Sequence, residues 1–312
     1  MRVFVFALII LGCVSCSHPQ KKNPNSINVK EFLASLSSDE RFLLEHFFRS
    51  IIQEDVIGYT LLGGKPMSIY TYIKPKTNVY LQQCNPVELV DLFFDGFDEN
   101  FAIFNQGWAV WNKYQHLFCG RNIFFDCFEV EGERYYEVVR VVNKRLMLSL
   151  LDQYSCQFST LDPSKKDKEA LFDAFLHDQN FKKKAYWRDD LLGICLGYGA
   201  KNAALFQKMS KLLTSLGWMG FSPEKRSQER LKSLETEWTA FSKSTFNVGI
   251  QDHASDNFLF HLGIGFRADS SDPETSSLQE KYIKYHKELT LAYDGANFLE
   301  KTLELIQLAD HS

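Results

Sequence analysis

A glycine-rich segment with one lysine, "GYTLLGGKP" at residues 58–66, has the composition of a phosphate-binding P-loop. A P-loop requires the spacing G-x-x-x-x-G-K-[S/T], in which the lysine reaches the outer phosphates and the hydroxyl binds magnesium. Here Gly64 is inserted before Lys65, and Pro66 replaces the hydroxyl residue and has no backbone N–H. We therefore predict a hairpin turn between strands at "GYTLL" and "MSIYTYI", and no nucleotide site.

A second glycine-rich segment, "GICLGYGAKNAALF", contains the pair Gly197 and Gly199. Asn202 replaces the third glycine of a dinucleotide-binding fingerprint, and no parallel strand precedes the segment. We predict a helix, a break at "GYG" and a new helix through Leu213, with Gly193 and Gly197 permitting close helix contact. The backbone N–H groups of Gly197 and Gly199 are a weak candidate for anion binding.

The N-terminal segment "MRVFVFALIILGCVSCSHPQ" combines one basic residue, a short apolar run, small residues and two cysteines. The apolar run is about half of the roughly 20 residues that a membrane span needs, so residues 1–15 are predicted to be a signal peptide. Cys13 and Cys16 each follow a small residue, as in a bacterial lipobox, where the thiol receives the lipid (palmitate included) and becomes the mature N-terminus. Cleavage before Cys16 and cleavage before Cys13 both remain open.

Lipidation would determine where the protein resides. Residues 16–30 are polar and are predicted to tether a folded domain to the membrane. The predicted localisation is the bacterial cell envelope, at the periplasmic face or the outer surface. The predicted partners are the membrane, through the N-terminal lipid, and a protein or another envelope component. A plain secretory signal is the alternative, and it would make the chain a secreted effector.

The other polar clusters do not match a metal or cofactor motif. The remaining cysteines lack zinc spacing, although Cys119 and Cys127 flank a short loop and are a candidate disulfide in an oxidising compartment. His253 and His261, with two nearby aspartates, are spaced too loosely to indicate a metal site. No cofactor and no metal are predicted.

Composition excludes several classes of protein. The chain has 312 residues, of which 45% are hydrophobic and 24% charged, which is typical of a globular protein and not of a disordered or fibrous one. Its net charge of −4 provides no basic field for nucleic acid. The 27 phenylalanines predict an aromatic core. The stripe from Trp108 to Phe118 is assigned to that core, and Glu129, Glu131 and Glu133 are predicted to be solvated.

Helix signals dominate the chain. Ser37 precedes Glu40 by three residues, which predicts a capping box ahead of an amphipathic helix. Aspartates at 189 and 190 predict another helix start. Further helices are predicted to begin at X-Pro pairs, namely Asn85–Pro86, Asp162–Pro163, Ser222–Pro223 and Asp272–Pro273. Residues 247–265 are predicted to be irregular.

Strand signals are few, and they form two predicted hairpins, one around "GGKP" and one in which "NIFFDCFEV" and "RYYEVVRVV" flank "EGE". The pattern lacks βαβ alternation. We predict an α+β fold that is mainly α-helical with a small antiparallel sheet built from two hairpins. Residues 31–312 are predicted to form one globular domain, with a sub-boundary near residue 142.

Four segments together, "YTLLGGKPMSIYTY", "GWAVWNKYQHLF", "GICLGYGAKNAALF" and "GANFLEKTLELI", give the chain a family resemblance. The chain resembles a family of exported proteins of Chlamydia-like intracellular bacteria, over residues 40 to about 308. The family has no assigned activity, so the resemblance implies no catalytic residue. It supports the lipoprotein interpretation and implies that the glycines and aromatics serve the fold.

The predicted function is that of a membrane-anchored envelope lipoprotein with a binding or structural role, since no catalytic motif is identifiable. The alternative is an envelope hydrolase whose carboxylates are brought together by the fold. A deep cleft with converging carboxylates would favour the hydrolase, and an exposed apolar patch would favour a binding module.

Overall fold

The structure is a computed structural model that describes residues 27–54, 57–73, 97–130, 136–216, 228–249, 265–269 and 271–312. The predicted signal peptide lies outside the described residues. The first helix begins at Val29, so the last two residues of the predicted tether belong to the folded part. Within the described ranges, no helix is both long enough and apolar enough to cross a bilayer.

The described chain is mainly helical. The helices are α1 Val29–Ser35, α2 Ser38–Arg49 with a π-helical turn Ser50–Glu54, α3 Ile57–Leu61, α4 Phe97–Tyr114 with a 3-10 turn Gln115–Leu117, α5 Lys144–Gln153, α6 Ser155–Phe158, α7 Lys168–His177, α8 Gln179–Tyr186, α9 Asp189–Cys195, α10 Ala200–Leu216, α11 Gln228–Ser244, α12 Pro273–Tyr293 and α13 Phe298–His311. The strands are β1 Met67–Ile73, β2 Ile123–Val130, β3 Tyr136–Asn143, β4 Phe246–Gly249 and β5 Gly265–Ala268. The predicted fold class is confirmed.

Several helix starts follow local side-chain chemistry. Ser37 and Glu40 form the predicted capping box at α2. Asp272 caps α12 with Pro273 at the first helical turn, also as predicted. The start predicted at Asp162–Pro163 is wrong, because Asp167 caps α7 five residues later. The Asp162 side chain instead accepts a hydrogen bond from the Ser164 N–H and closes a turn.

The segment resembling a P-loop is the end of a helix and not a hairpin turn. Residues 57–61 form α3, so the strand predicted at "GYTLL" is wrong. Gly63 has φ of 77°, and the N–H groups of Gly63 and Gly64 donate to Thr60 O and Tyr59 O. A glycine in the left-handed region is a common way to end a helix, and the chain then enters β1 directly.

Three antiparallel strands form the central sheet in the order β1-β3-β2. The predicted hairpin of β2 and β3 is confirmed, and β1 adds to the other side of β3 instead of pairing with "GYTLL". Asp126 lies opposite Arg140 in this register, and Glu129 lies opposite Glu137. Side chains alternate between the two faces of a strand, so these two pairs point to opposite faces of the sheet.

The sheet separates two hydrophobic cores. On one face, Phe125, Val139 and Val141 pack with buried residues of α2, α4, α12 and α13. On the other face, Met67 and Val142 pack with buried residues of α5 and α7–α10. The sub-boundary predicted near residue 142 falls inside β3, a strand that contributes to both cores.

A smaller cluster joins α10 and α11 through Leu212, Leu234 and Phe241. Residues 246–249 and 265–268 pair as the two-stranded sheet β4-β5. The prediction that 247–265 is irregular is therefore wrong at both ends of the segment, and residues 250–264 lie outside the described residues.

Candidate functional site

The two glycine-rich segments that mimic nucleotide-binding motifs meet in space. A Cβ on Gly197 would lie 2.8 Å from Tyr282 Oη and 3.1 Å from Pro66 Cδ. Lys65 is buried, and its Nζ lies 5.0 Å from the centroid of the Tyr198 ring. A lysine enclosed beside an aromatic face cannot reach outer phosphates as a P-loop lysine does.

The weak anion-binding candidate at Gly197 and Gly199 has an unfavourable neighbour. Both glycines have positive φ, 79° and 80°, as expected for a break between α9 and α10. A Cβ on Gly199 would lie 2.4 Å from a carboxylate oxygen of Glu274. A second anion beside this carboxylate would be repelled. The predicted close helix contact is confirmed at Gly193, where an added Cβ would lie 2.7 Å from Ala203 Cβ.

The candidate disulfide between Cys119 and Cys127 is not formed, since both side chains are thiols. Cys119 donates its S–H to the Gln115 carbonyl at 3.3 Å, in the turn before β2. The Gly120 N–H donates to the Ile123 carbonyl, so Cys119 lies beside the start of β2. Cys127 lies four residues beyond Ile123 in the strand, and four residues of extended strand span about 13 Å. A disulfide needs Cα atoms within about 7 Å.

Other candidates lie outside the described residues. These are the lipidation candidates Cys13 and Cys16, the helix starts at Asn85–Pro86 and Ser222–Pro223, Glu131 and Glu133, and the cluster with His253 and His261. Among the residues that the structure does describe, no group of three or more His, Cys, Asp or Glu side chains could hold a metal ion.

A groove of about 460 Å³ follows β2, one of the two edge strands of the central sheet in the described part of the chain. We call it the β2 groove. Its lining residues are Asn105, Trp108, Cys127, Phe128, Glu129, Glu137, Gln179 and Lys183. An indole, two amides, two carboxylates and a lysine around one concave surface are suited to binding a polar ligand with an apolar portion.

The two carboxylates of the β2 groove are neighbours and outnumber its one lysine. Glu129 and Glu137 lie directly opposite in the antiparallel register. Cβ atoms of directly opposed residues are about 4.5–5.5 Å apart, and like charges at this separation destabilise a sheet. The pair therefore places two carboxylates side by side along the groove, next to the Lys183 side chain.

The α4 wall of the groove depends on a close helix crossing. A Cβ on Gly107 would lie 2.5 Å from the Leu43 carbonyl oxygen and 2.7 Å from Phe47 Cβ. Only glycine therefore allows α4 to approach α2 this closely. The next residue, Trp108, packs its ring against Phe47 with centroids 5.8 Å apart. The crossing fixes the indole at the groove.

The α8 wall is held by a buried ion cluster on the other face of β2. Oδ2 of Asp126 accepts a hydrogen bond from Arg140 at 2.6 Å and forms an ion pair with Lys182 Nζ at 2.7 Å. Lys182 belongs to α8, so this pair fastens the helix to the sheet. The neighbouring residues Gln179 and Lys183 are thereby held at the groove.

Comparison of the chain with protein-family models, curated proteins and solved structures finds no match.

The sequence predicts Trp108 in the core and Glu129 in solvent, and Trp108 packs against the core while Glu129 is exposed. The sequence pattern does not single out Glu137 or Asp126. The β2 groove combines these residues through strand pairing. Once the register of the β2–β3 hairpin is fixed, counting residues from the turn places Glu129 opposite Glu137. This pair could therefore have been predicted from the sequence. The wall from α8 was not visible, because its contact with β2 depends on the tertiary fold.

Proposed function

We propose that the chain is an exported bacterial lipoprotein, anchored through Cys16 or Cys13, whose folded part binds a cationic ligand in the β2 groove. The anchor rests on the N-terminal pattern of one basic residue, a short apolar run and a cysteine that follows a small residue. An anchored domain acts at a membrane surface, so the ligand is a component of the envelope or of a protein that reaches it.

We base the proposed class of ligand on one arrangement, in which Glu129 and Glu137 lie opposite each other in a groove that Trp108 also lines. Two carboxylates favour an ammonium or guanidinium group, and an indole face attracts the same group by a cation–π interaction. The amides of Asn105 and Gln179 supply neutral hydrogen bonds around it. The ligand class is therefore an amine- or guanidinium-bearing peptide or sugar.

Titration calorimetry with an oligo-arginine peptide tests this class. We expect saturable binding to the unmodified chain, and affinity at least about tenfold weaker for the double variant Glu129→Gln/Glu137→Gln, since two charge-assisted contacts are lost. The matched control is Glu169→Gln/Glu235→Gln, which removes the same charge from two exposed helix positions outside the groove.

The control variant distinguishes specific binding of the peptide in the β2 groove from attraction by the net charge of the protein. Equal weakening in both double variants would mean that net charge alone attracts the peptide, and it would contradict the proposed site. An oligo-glutamate peptide that binds as well as oligo-arginine would contradict the ligand class.

The intact mass of the mature N-terminus tests the anchor. We expect a diacylglyceryl-modified cysteine that is lost in one of the variants Cys13→Ser and Cys16→Ser. A cleaved but unmodified N-terminus would contradict the anchor and favour a secreted effector. Retention of Met1 would contradict export itself.

A hydrolase is the second candidate, and the spacing of Glu129 and Glu137 favours it. Glycosidases use two carboxyl groups about 5–9.5 Å apart, a range compatible with directly opposed strand residues. Incubation with isolated cell wall would release soluble fragments with the unmodified chain and none with Glu137→Gln. Release by both, or by neither, would leave binding as the function of the groove.

A further inference from the structure

The ion cluster of Asp126, Arg140 and Lys182 contains more positive than negative charge. The Arg140 and Lys182 side chains are 2% and 3% exposed, and both bond the same oxygen of Asp126. Among the described residues no second carboxylate pairs with either cation. Two positive charges and one negative charge leave one positive charge buried, which is strongly unfavourable without a counter-ion.

One polar atom of this cluster lacks a partner. Arg140 Nη2 donates to Asp126 and to the Phe175 carbonyl at 2.8 Å, but Arg140 Nε has no hydrogen-bond partner among the described residues. Burial also lowers the pKa of the Arg140 guanidinium, an effect that Asp126 opposes. An unsatisfied buried donor on a charged group is rare in native proteins and indicates a missing water or ion.

A small cavity adjoins the cluster. It has a volume of about 10 Å³, and Arg140 and Lys182 line it together with Phe128, Phe175 and Cys195. This volume holds about one particle of the size of a water molecule, so phosphate or a side-chain carboxylate does not fit. Apart from Tyr186, whose hydroxyl lies 3.5 Å from Thr71 Oγ1, the remaining lining residues are apolar or a thiol, which disfavours a strongly hydrated ion.

Three observations indicate the same kind of ligand: the excess positive charge, the unsatisfied Arg140 Nε and the size of the cavity. We propose that this cavity is a binding site for a single halide-sized monovalent anion, with chloride as the available species. The ion neutralises the excess positive charge, accepts a hydrogen bond from Arg140 and lies beside Lys182. It thereby stabilises the contact between α8 and β2 that forms one wall of the β2 groove.

Thermal unfolding of the full chain in sodium chloride and in sodium gluconate, at matched ionic strength, tests the site. Gluconate is too large for the cavity. A ligand of the folded state stabilises it logarithmically with concentration, so we expect Tm to rise by roughly 2–3 °C per tenfold increase in chloride above the dissociation constant. Equal Tm values in the two salts would overturn the proposal and assign the cavity to water.

The variant Lys182→Met removes the excess charge, and we expect the difference between chloride and gluconate to disappear. Lys201→Met is the control, because Lys201 is an exposed lysine that is also paired, with Asp272 at 3.1 Å, and it should retain the difference. If Lys182→Met does not fold, bromide-soaked crystals of the unmodified chain decide. An anomalous peak in the cavity supports the site, and its absence there overturns it.

Discussion

Two buried or partly buried carboxylates bind β2 at different points. Asp310 accepts backbone N–H groups at the start of the strand, whereas Asp126 pairs with cationic side chains in its middle. Asp310, in the last turn of α13, is 6% exposed and accepts four backbone N–H groups with one oxygen. These donors belong to residues 120–123, at distances of 2.8–3.1 Å. Asp126, in the middle of the strand, instead pairs with two buried cations.

The two sites differ in net charge and in whether every buried hydrogen-bond donor has a partner. Backbone N–H groups carry only partial charges, so the four donors to Asp310 satisfy it without adding a cation. The Asp126 cluster keeps one extra positive charge and an unsatisfied Arg140 Nε. A fully satisfied polar network fixes a fold, whereas a buried donor without a partner is explained by strain, a functional role or an additional water or ion. We therefore distinguish the closed start of β2 at residues 120–123 from the stretch 126–130, where we propose ligand binding.

The largest expected effect comes from removing the carboxylate between the two buried cations. Asp126→Asn should lower the free energy of unfolding by about 3–5 kcal/mol, because two buried charges lose their counter-ion. Lys182→Met should cost clearly less, since it leaves a neutral pair of Asp126 and Arg140. Urea unfolding measures both changes, and equal losses would refute the excess charge assigned to the cluster.

Removing the carboxylate at the start of β2 should lower the free energy of unfolding somewhat less than Asp126→Asn does. Asp310→Ala leaves the N–H groups of residues 120–123 without their acceptor, and we expect a loss of about 3 kcal/mol in urea unfolding. Asp310→Asn retains an acceptor oxygen and should lose less. The exposed Asp294 provides the control, as Asp294→Ala should change stability by less than about 0.5 kcal/mol. A loss no larger than this control would show that Asp310 does not hold the loop.

The α4 wall offers a third test. Gly107→Ala adds a Cβ into the contact with α2 and should cost about 1–3 kcal/mol of stability. Because Trp108 follows directly, the same variant should weaken oligo-arginine binding. Ala109→Ser, at an exposed position of α4, is the control for both readouts. Stability and binding that match the control would mean that the helix crossing does not position the indole.

The smallest expected effect is a dependence on pH at Glu40. Hydrogen bonds from Lys113, the Ser37 backbone N–H and Tyr114 lower the pKa of the Glu40 carboxyl from 4.5 to about 2. A lowered folded-state pKa adds stability above about pH 4.5, and this stability is lost as pH falls toward 2.

The measurement is Tm at pH 5 and pH 3 for the unmodified chain and Glu40→Gln. The variant should lose less stability between the two values. The difference is expected to be small, because largely exposed pairs contribute about 0–1 kcal/mol. Identical losses would mean that this carboxylate does not link α2 to α4.

Sequence reasoning succeeded where the signal is local. The capping box of Ser37 and Glu40 involves residues three apart, and the β2–β3 hairpin shows its alternation within one segment. It failed at "GYTLL", where β-branched and aromatic residues favour a strand, yet Gly63 ends a short helix whose residues are all buried. Tertiary packing overrides local propensity in such a short segment.

The two carboxylate anchors show why the rest could not be predicted. Asp310 bonds residues 187–190 positions away, and no local pattern identifies such partners. Lys182 reaches Asp126 only because α8 packs on the sheet. The pairing of Glu129 with Glu137 could be predicted from the hairpin register. The position of this pair next to Trp108 could not, because it depends on the close approach of α4 to α2 at Gly107.

Hydrogen–deuterium exchange with and without the oligo-arginine peptide tests the distinction between the two ends of β2 most directly. We predict that the peptide slows exchange at residues 126–130 of β2 and 179–183 of α8, and leaves residues 120–123 unchanged. Protection that is absent from the groove segments, or equally strong at residues 120–123, would contradict the β2 groove as the binding site.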